Sequence, residues 1–386
     1  MRFVLLACLA TLGTSFSIIH HQNRHHSTTT LFSTPHPDHD LLLRAARGEI
    51  TSRTPVWLMR QAGRYMAAFR EYSTKYPFRH RSETPSIAVE LSLQCWRKYK
   101  MDGVIMFSDI LTPLPAIGIE WDIVPGKGPV ISTEIASLAD VKNLPSGSDF
   151  DPASSLPFVG ETLRTLRAET EGKTTLIGFV GAPWTLAAYT IEQSSSKHCN
   201  KIKKMQMNDT PAIEMFLDKL AEVVGKYMIY QVDNGAQVVQ IFESWAHQIS
   251  PTDFAKFAKP ATQKAIKIFK AKHPNVPVIF FANGGSGYLE QQKDMGCDMV
   301  CLDWGVDMKE GRARLGGEGM PVSGNIDPSV LYGSEEFVRA AVRECVEKAG
   351  GAGNRHVLNL GHGVQQEVSE EAVGWLVDEV KKIKKR

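Results

Sequence analysis

The sequence has few cysteines and almost no net charge, and both shortages restrict its class. Its 386 residues include six cysteines and carry a formal net charge of +2. Because this balance gives no bulk attraction to a polyanion, nucleic acid is not expected as a partner. Cys8 lies in a segment that we expect to be removed, and the odd five that remain are scattered, which is no disulfide framework. Buried reduced thiols in a reducing compartment are the interpretation.

Several motifs of catalytic and nucleotide-binding sites are also absent. The sequence has no H-E-x-x-H, no G-x-S-x-G and no P-loop. No G-x-G-x-x-G follows the first predicted strand, which weakens a dinucleotide-binding fold. Cys297 and Cys301 are not followed by a second pair with metal-ligand spacing, so a metal site is disfavoured.

Residues 1–37 differ in composition from the rest of the chain. Arg2 precedes an apolar run, 3–12, and then small residues, which is the pattern of a secretory signal and is too short to span a bilayer comfortably. The next stretch is rich in Ser, Thr and His, with no acidic residue before Asp38, as in transit peptides. This two-part leader resembles the address of proteins imported into plastids surrounded by extra membranes. We therefore predict the plastid stroma and no membrane anchor in the mature protein; secretion, or a mitochondrial or cytoplasmic location, is the alternative.

From residue 38 to residue 386, short apolar strands alternate with helical segments. The predicted strands are 56–59, 103–107, 175–181, 237–242, 278–282, 299–303, 321–324 and 356–360, and the predicted helices are 85–100, 211–234, 251–272, 286–295, 333–349 and 366–385. Strands that are buried on both faces and alternate with helices form parallel sheets. Eight of them without a dividing linker predict an α/β fold, a single (β/α)8 TIM-type barrel.

The interval between the second and third predicted strands is longer than the others. Its residues 121–130 contain Pro-Gly-Lys-Gly, which is typical of a hairpin turn, and a helix is expected near 156–168. We expect this interval to form an excursion over the barrel mouth. The terminal lysine-rich residues are interpreted as the solvated end of the last helix.

The residues just past the predicted strands are mostly polar, aromatic or glycine. Active sites of such barrels lie at the carboxyl ends of the strands, where this sequence places Arg60, Arg64, Asp109, Tyr189, Ser244, Asn283, Asp303, Asn325, Asp327 and His362. An arginine after a buried strand is suited to binding a carboxylate or phosphate. Two arginines and one acid indicate an anionic ligand that also carries N–H donors or develops positive charge.

Each of these residues also has a structural interpretation. The arginines could cap a loop, Asp109 could cap a helix or pair with an arginine, and Tyr189 and Ser244 could serve packing. His362, which lies between two glycines, could be a metal ligand, a base or a hydrogen-bond donor to a substrate.

Six motifs together resemble the uroporphyrinogen decarboxylase family: RQAGRYM from Arg60, FSDIL from Phe107, GFVGAPWTLAAY from Gly178, FESWA from Phe242, GNID from Gly324 and NLGHGV from Asn359. The similarity runs from about residue 40 to the end. It implies a (β/α)8 enzyme without cofactor, usually a homodimer, in haem and chlorophyll biosynthesis. Such an enzyme converts the four acetate arms of uroporphyrinogen III to methyl groups, giving coproporphyrinogen III and CO2.

The resemblance also implies roles for individual residues. It makes Arg60, Asp109 and Tyr189 catalytic, and it places Arg60, Ala62, Arg64, Asp109, Tyr189, Ser244 and His362 against the substrate. The arginines would hold carboxylates, while Asp109 would accept the pyrrole N–H groups. Kept ionised by hydrogen bonds and a nearby arginine, Asp109 would also stabilise a cationic ring. The proton donor stays open, because an arginine is a poor acid and an ionised aspartate has no proton to give.

The sequence departs from the family pattern in three places. A further substrate arginine of some members has only Arg79 and Arg81 as candidates. Residues 192–200 replace a stretch that tends to carry glycine, which puts the mobility of that loop in doubt, and His247 stands where glycine is common.

Two other functions compete with this one. A barrel methyltransferase of the same superfamily would need a zinc site, and the adjacent His198 and Cys199 are not the separated ligands expected. A porphyrinogen carrier without catalysis should have lost Asp109, which is present.

Overall fold

A parallel sheet of seven strands forms the centre of this computed structural model, which describes residues 37–385. Residues 1–36 of the predicted leader, including Cys8, lie outside the described residues. The sheet consists of β1 (Gly103–Ile105), β4 (Thr175–Gly181), β5 (Val238–Glu243), β6 (Val278–Ala282), β7 (Met299–Cys301), β8 (Val322–Ile326) and β9 (His356–Leu360), paired in that order. The two remaining strands, β2 (Trp121–Val124) and β3 (Gly128–Ile131), form a separate antiparallel hairpin.

Helices connect the strands and cover the sheet. They are α1 (Leu41–Ala46), α2 (Ala67–Lys75), α3 (Phe78–Glu83), α4 (Pro85–Tyr99), α5 (Leu138–Asn143), α6 (Pro152–Ser155), α7 (Pro157–Thr170), α8 (Pro183–Glu192), α9 (Asn200–Asn208), α10 (Thr210–Asp233), α11 (Pro251–Asp253), α12 (Lys259–Lys272), α13 (Leu289–Lys293), α14 (Met308–Arg314), α15 (Glu335–Lys348) and α16 (Glu370–Lys382). None of these helices is long and apolar enough to cross a membrane.

The predicted parallel α/β architecture is confirmed. β4, β6 and β9 have the predicted bounds, and every residue of these three strands is buried. Burial on both faces explains why mostly apolar runs predicted them well. Since α1 contacts both β4 and β9, which are far apart in the strand order, the sheet is curled.

The prediction of a strand at 56–59 is wrong, because this segment does not form a continuous set of strand hydrogen bonds. The segment is extended, and Val56 forms a single parallel bridge to Leu358 of β9. On its other side the Val56 carbonyl accepts a hydrogen bond of 2.8 Å from the Asp102 amide, just before β1. The segment therefore lies between the two edge strands of the sheet without a continuous ladder to either.

A side chain takes the place of the missing ladder partner. The Gln61 side chain accepts a hydrogen bond from the Leu58 amide at 3.2 Å and donates one to the Gly103 carbonyl at 3.1 Å. Gln61 is fully buried. The Leu58 amide and the Gly103 carbonyl are thus paired through a side chain. The pattern of apolar residues indicates only a buried extended segment, so it did not predict this pairing.

A buried ion pair holds this segment at the amino ends of the strands. Arg53 donates two hydrogen bonds to Asp102, at 2.8 and 2.6 Å, and both residues are buried. The Val56 amide donates to the same carboxylate at 2.8 Å. Full pairing of both charges is what makes their burial tolerable.

The hairpin predicted from Pro-Gly-Lys-Gly is present as β2 and β3. Its edge contacts the chain that follows α8, since the Ile131 amide donates to the Gln193 carbonyl at 2.9 Å and Val130 bridges Ser194. The interval between β1 and β4 is thus tied to the loop after α8.

The last helix is shorter than predicted. α16 ends at Lys382, and the residues beyond it leave the helix. Lys384 forms an antiparallel bridge to Arg53, so the tail pairs with the chain near the Arg53–Asp102 ion pair. Backbone pairing replaces the expected solvated helix end.

Candidate functional site

Four of the predicted site residues lie together: Arg60, Asp109, Tyr189 and His362. They come from chain segments at the carboxyl end of the sheet, and the charge of Arg60 affects the pKa of each of the other three. Residues far apart in sequence therefore share one site, as the predicted topology requires.

Asp109 lies in the turn after β1 and is partly buried. Burial raises the pKa of its carboxyl to about 6, while a hydrogen bond from the Leu111 amide and the charge of Arg60 lower it. The Leu111 amide donates this hydrogen bond to Asp109 Oδ1 at 2.8 Å. Within residues 37–385 no hydrogen bond is formed to Oδ2, which leaves that oxygen for a ligand. Desolvation thus outweighs the two effects expected to keep Asp109 ionised, although the carboxylate still predominates at pH 7.

Arg60 and Arg64 are exposed and form no ion pair within the described part of the chain. Arg60 has a left-handed backbone conformation, with φ of 59°, which is uncommon for a residue with a side chain. Its side chain passes Gly363, where a β-carbon would lie 2.7 Å from Arg60 Cγ. Gly363 therefore makes room for the Arg60 side chain.

Tyr189 lies on α8, a helix that the sequence pattern did not predict. Pro183 opens this helix at its first position, which is a recognisable start signal. The Tyr189 ring meets the Trp245 ring edge-on, with 5.3 Å between centres. Burial raises the pKa of Tyr189, and the nearby charge of Asp109 raises it further, so the phenol stays protonated.

Ser244 and Trp245 lie directly after β5 and are half-buried. The Ser244 carbonyl accepts a hydrogen bond of 3.1 Å from Asn283 Nδ2. Trp245 belongs to the FESWA motif, and its packing against Tyr189 could not be read from the sequence.

His362 is neutral in this site. Burial lowers the pKa of its imidazole to about 4, and the charges of Arg60 and His247 act in the same direction. Nδ1 accepts a hydrogen bond of 2.7 Å from the Gly363 amide, which assigns the proton to Nε2. Of the three roles considered, hydrogen-bond donor to a ligand fits this state best.

Ala62 is half-buried in the turn between the two arginines, and its side chain packs on the apolar cluster beside it. Three other strand-end residues hold loops together. Asp303 accepts from the amides of Gly284 and Gly305, and Asn325 donates to the carbonyls of Asp303 and Val306. Asp327 caps the turn at Pro328–Tyr332.

The two candidates for a further arginine differ in their surroundings. Arg79 pairs with Glu83 at 2.5 Å and lies near Glu120, so its charge is already matched. Arg81 is buried among three phenylalanine rings and forms no ion pair within residues 37–385. Burial lowers the pKa of Arg81, and the charge of Arg64 adds to this effect. Arg81 is therefore the candidate next to the site arginines.

The unusual loop at 192–200 is held by hydrogen bonds. Besides the Gln193 bond to the hairpin, the Cys199 amide donates to Ser196 Oγ and the Ile202 amide donates to Glu192, each at 3.0 Å. Residues 195–198 of this loop, together with Trp245, His247 and Gln248, line an open cleft of about 550 Å³. His247 lies against Trp245, with 5.5 Å between ring centres.

The parallel α/β sheet carries cationic, carboxyl and imidazole groups at its carboxyl ends, the pattern expected of a barrel-type enzyme that binds an anion. Comparison with known proteins makes the class specific. The chain belongs to the uroporphyrinogen decarboxylase (URO-D) family, whose pattern matches residues 37–383. A relative from Synechocystis sp., named uroporphyrinogen decarboxylase, is 50% identical over 89% of this chain and 96% of its own length. One of the same name from Microcystis aeruginosa is 49% identical over 90% of this chain and 98% of its own.

A solved methyltransferase from Methanosarcina mazei has a similar fold. Its TM-score is 0.74 with 20% identity, covering 91% of this chain and 99% of that chain, which is a likeness of fold. Among residues 37–385, no three His, Cys, Asp or Glu side chains group as a metal site.

Proposed function

We propose that the chain decarboxylates the four acetate side chains of uroporphyrinogen III, giving coproporphyrinogen III and CO2 without a cofactor. Two findings support this activity: the chain belongs to the uroporphyrinogen decarboxylase family, and it is 50% identical to a relative named uroporphyrinogen decarboxylase. The observation that carries the mechanism is Asp109, whose carboxyl is partly buried beside Arg60 with one oxygen open to a ligand.

Substrate binding follows from the charges at the site. The substrate carries eight carboxylates, and Arg60 and Arg64 have no acidic partner among residues 37–385, so their guanidinium groups are open to bidentate contacts. The four pyrrole N–H groups need an acceptor, and Asp109 Oδ2 supplies one. Nε2 of His362 would donate to a further carboxylate, and Ala62 and Ser244 would contact the substrate, as the family resemblance implies.

The reaction needs an electron sink, which the pyrrole ring provides. When a ring carbon next to the acetate arm is protonated, the ring becomes a cation. The carbon–carbon bond to the carboxylate then breaks, its electron pair enters the ring, and CO2 leaves. The exocyclic carbon takes up a proton to become a methyl group, and the ring gives its own proton back. Asp109 stabilises the cation because it is charged and partly removed from water.

Tyr189 would act together with Asp109. Its phenol is beside Asp109 and remains protonated, so it can donate a hydrogen bond to the carboxylate that is to leave or to the Asp109 oxygen. Which group first protonates the ring is left open by these residues.

We also propose that residues 55–59 take the eighth place of a closed barrel. Their hydrogen bonds to β9 on one side and to the chain before β1 on the other support this. The interval between β1 and β4 would then lie over the mouth, since its hairpin pairs with the loop that follows Tyr189.

The leader and the oligomeric state are further parts of the proposal. Residues 1–37 would direct import into a plastid, which is compatible with cyanobacterial relatives, and residues 38–386 would form the enzyme as a homodimer. Import of a fluorescent protein carrying residues 1–37 and sedimentation of the chain test these two points.

The activity is tested by anaerobic incubation with uroporphyrinogen III. After oxidation, porphyrins are separated by their number of carboxylates. We expect seven-, six-, five- and four-carboxylate products in succession, and none with Asp109→Asn. Tight binding with unchanged substrate would instead establish a carrier, and full activity of the variant would exclude Asp109 from the mechanism.

A further inference from the structure

A fully buried carboxyl group ends the strand that leads to Ser244. Glu243 is the last residue of β5 and has no exposed surface. Along β5, Val238 packs inside the curled sheet, whereas Val239 and Ile241 pack on the side of the helices. Because side chains alternate along a strand, Glu243 also faces the helices. It is therefore not placed to contact a substrate.

The carboxyl is held by one side chain of α8. Thr185 Oγ1 donates a hydrogen bond to Glu243 Oε1 and accepts one of 3.3 Å from the Trp245 amide. Glu243 Oε2 has no partner in the described part of the chain. An ionised carboxylate with a single partner would be very costly to bury, so Glu243 carries its proton. Burial accordingly raises its pKa to about 8.

This network reaches the site through α8. Thr185 and Tyr189 stand four residues apart on the helix, so their side chains lie on one face. Trp245, whose amide Thr185 holds, packs its ring against Tyr189. Tyr288 donates to the Ala246 carbonyl at 2.8 Å and ties down the same loop from its other end.

We propose that Glu243 is a positioning residue: through Thr185 it holds Trp245, and thereby sets the orientation of Tyr189 toward Asp109. The inference rests on the proposed function. Small displacements of a catalytic group lower rates strongly, by on the order of 10²-fold for about 1 Å. Loss of the network should therefore reduce turnover more than substrate binding.

Matched substitutions at Thr185 test the link. Thr185→Val removes the hydroxyl at similar volume, and we expect kcat to fall about 10-fold to 100-fold with KM changed less than about threefold. Thr185→Ser should restore kcat. Glu243→Gln, which keeps an acceptor for Thr185, should retain activity, whereas Glu243→Leu should behave like Thr185→Val. Unchanged kcat in Thr185→Val, or no rescue by serine, would overturn the proposal.

A double-mutant cycle separates positioning from a general structural effect. In a Tyr189→Phe background, Thr185→Val should have little further effect on kcat, because the hydroxyl that the network positions is gone. If Thr185→Val lowered kcat by the same factor in both backgrounds, the inference would be contradicted.

A spectroscopic readout works independently of turnover. The difference in near-ultraviolet circular dichroism between the wild-type chain and Tyr189→Phe reports the Tyr189–Trp245 pair. When both proteins also carry Thr185→Val, this difference in the spectra should disappear. If the wild-type chain releases no CO2, the proposed function fails, while this signal still decides whether Glu243 and Thr185 position Tyr189.

Discussion

At the scale of single residues, the site is governed by the competition between burial and charge. Asp109 would have a low pKa beside Arg60 in water, but partial burial raises it to about 6. The same burial lowers the pKa of His362 to about 4. Around neutral pH the site thus combines an ionised carboxylate, a neutral imidazole and permanently charged arginines. This combination suits a polyanionic substrate that becomes locally cationic during reaction.

The pKa of Asp109 predicts an acid limb in the activity profile. Because the proposed mechanism uses the ionised form, kcat/KM should fall as the pH drops below about 6, by about tenfold per unit. The profile of the free enzyme is measured anaerobically between pH 5 and pH 8 with uroporphyrinogen III. Protonation of His362 near pH 4 lies outside this window. A flat profile down to pH 5 would show that ionised Asp109 is not required.

The close approach of Gly363 to Arg60 predicts that a side chain at position 363 lowers activity. A methyl group at this position would collide with the Arg60 side chain and displace its guanidinium, so Gly363→Ala should lower kcat/KM by about 10-fold to 100-fold. Gly374→Ala is the matched control, since its β-carbon would meet only the Tyr99 ring at 3.9 Å. Equal activity of both variants would mean that Arg60 does not need its present path.

At the scale of elements, side chains complete what the strands leave open. The segment 55–59 reaches β1 through Gln61, and the end of β5 is joined to α8 through Glu243 and Thr185. Both contacts are fully buried, so their loss leaves polar groups without water or partner.

Replacement of Gln61 should therefore destabilise the fold. Gln61→Ala leaves the Leu58 amide and the Gly103 carbonyl unpaired, and we expect a loss of about 2–5 kcal/mol in the free energy of unfolding. Urea unfolding measures it, with the exposed Gln365→Ala as control. A loss below about 1 kcal/mol would indicate that other groups close the sheet.

The buried Glu243 carboxyl predicts a pH dependence of stability. Its pKa is raised from an ordinary value of 4.5 to about 8, so the folded chain keeps a proton that the unfolded chain releases. This contribution is complete below about pH 4.5 and is lost as the pH rises toward 8. Thr185 faces the carboxyl from α8, and Tyr288, near Asp303, faces it from the turn after β6.

Glu243→Gln should remove this dependence. Relative to the variant, the wild-type chain should lose urea resistance between pH 5 and pH 8 and then level off. Parallel curves for the two proteins would show that Glu243 does not titrate in this range.

At the scale of the whole molecule, topology brings the site together. Arg60 and His362 are separated by most of the described chain, yet the segment 55–59 lies beside β9 and makes them neighbours. The ion pair of Arg53 and Asp102 anchors the same segment at the opposite ends of the strands. The ion pair thus lies at one end of the strands and the proposed site at the other, which would separate stability from function in this fold.

Much of this arrangement could be predicted from the sequence. β6 is a continuous apolar run, β4 and β9 are mostly apolar, and α4 and α10 begin with prolines near their first turns, so local signals were sufficient. α8 was missed because its apolar residues follow β4 almost without a break. The strand at 56–59 was overpredicted because a buried apolar run looks alike whether it pairs by backbone or through Gln61.

What the sequence determined by itself is the α/β alternation, the family motifs and the chemical groups available at the strand ends, because these depend on local patterns of residue type. Only the tertiary structure decided how Gln61 joins the segment 55–59 to β1, that Arg81 rather than Arg79 lies near Arg64, and that Glu243 is buried against Thr185. It also decided that Asp109 has a raised pKa. These properties depend on desolvation and on contacts between distant parts of the chain, which no local pattern encodes.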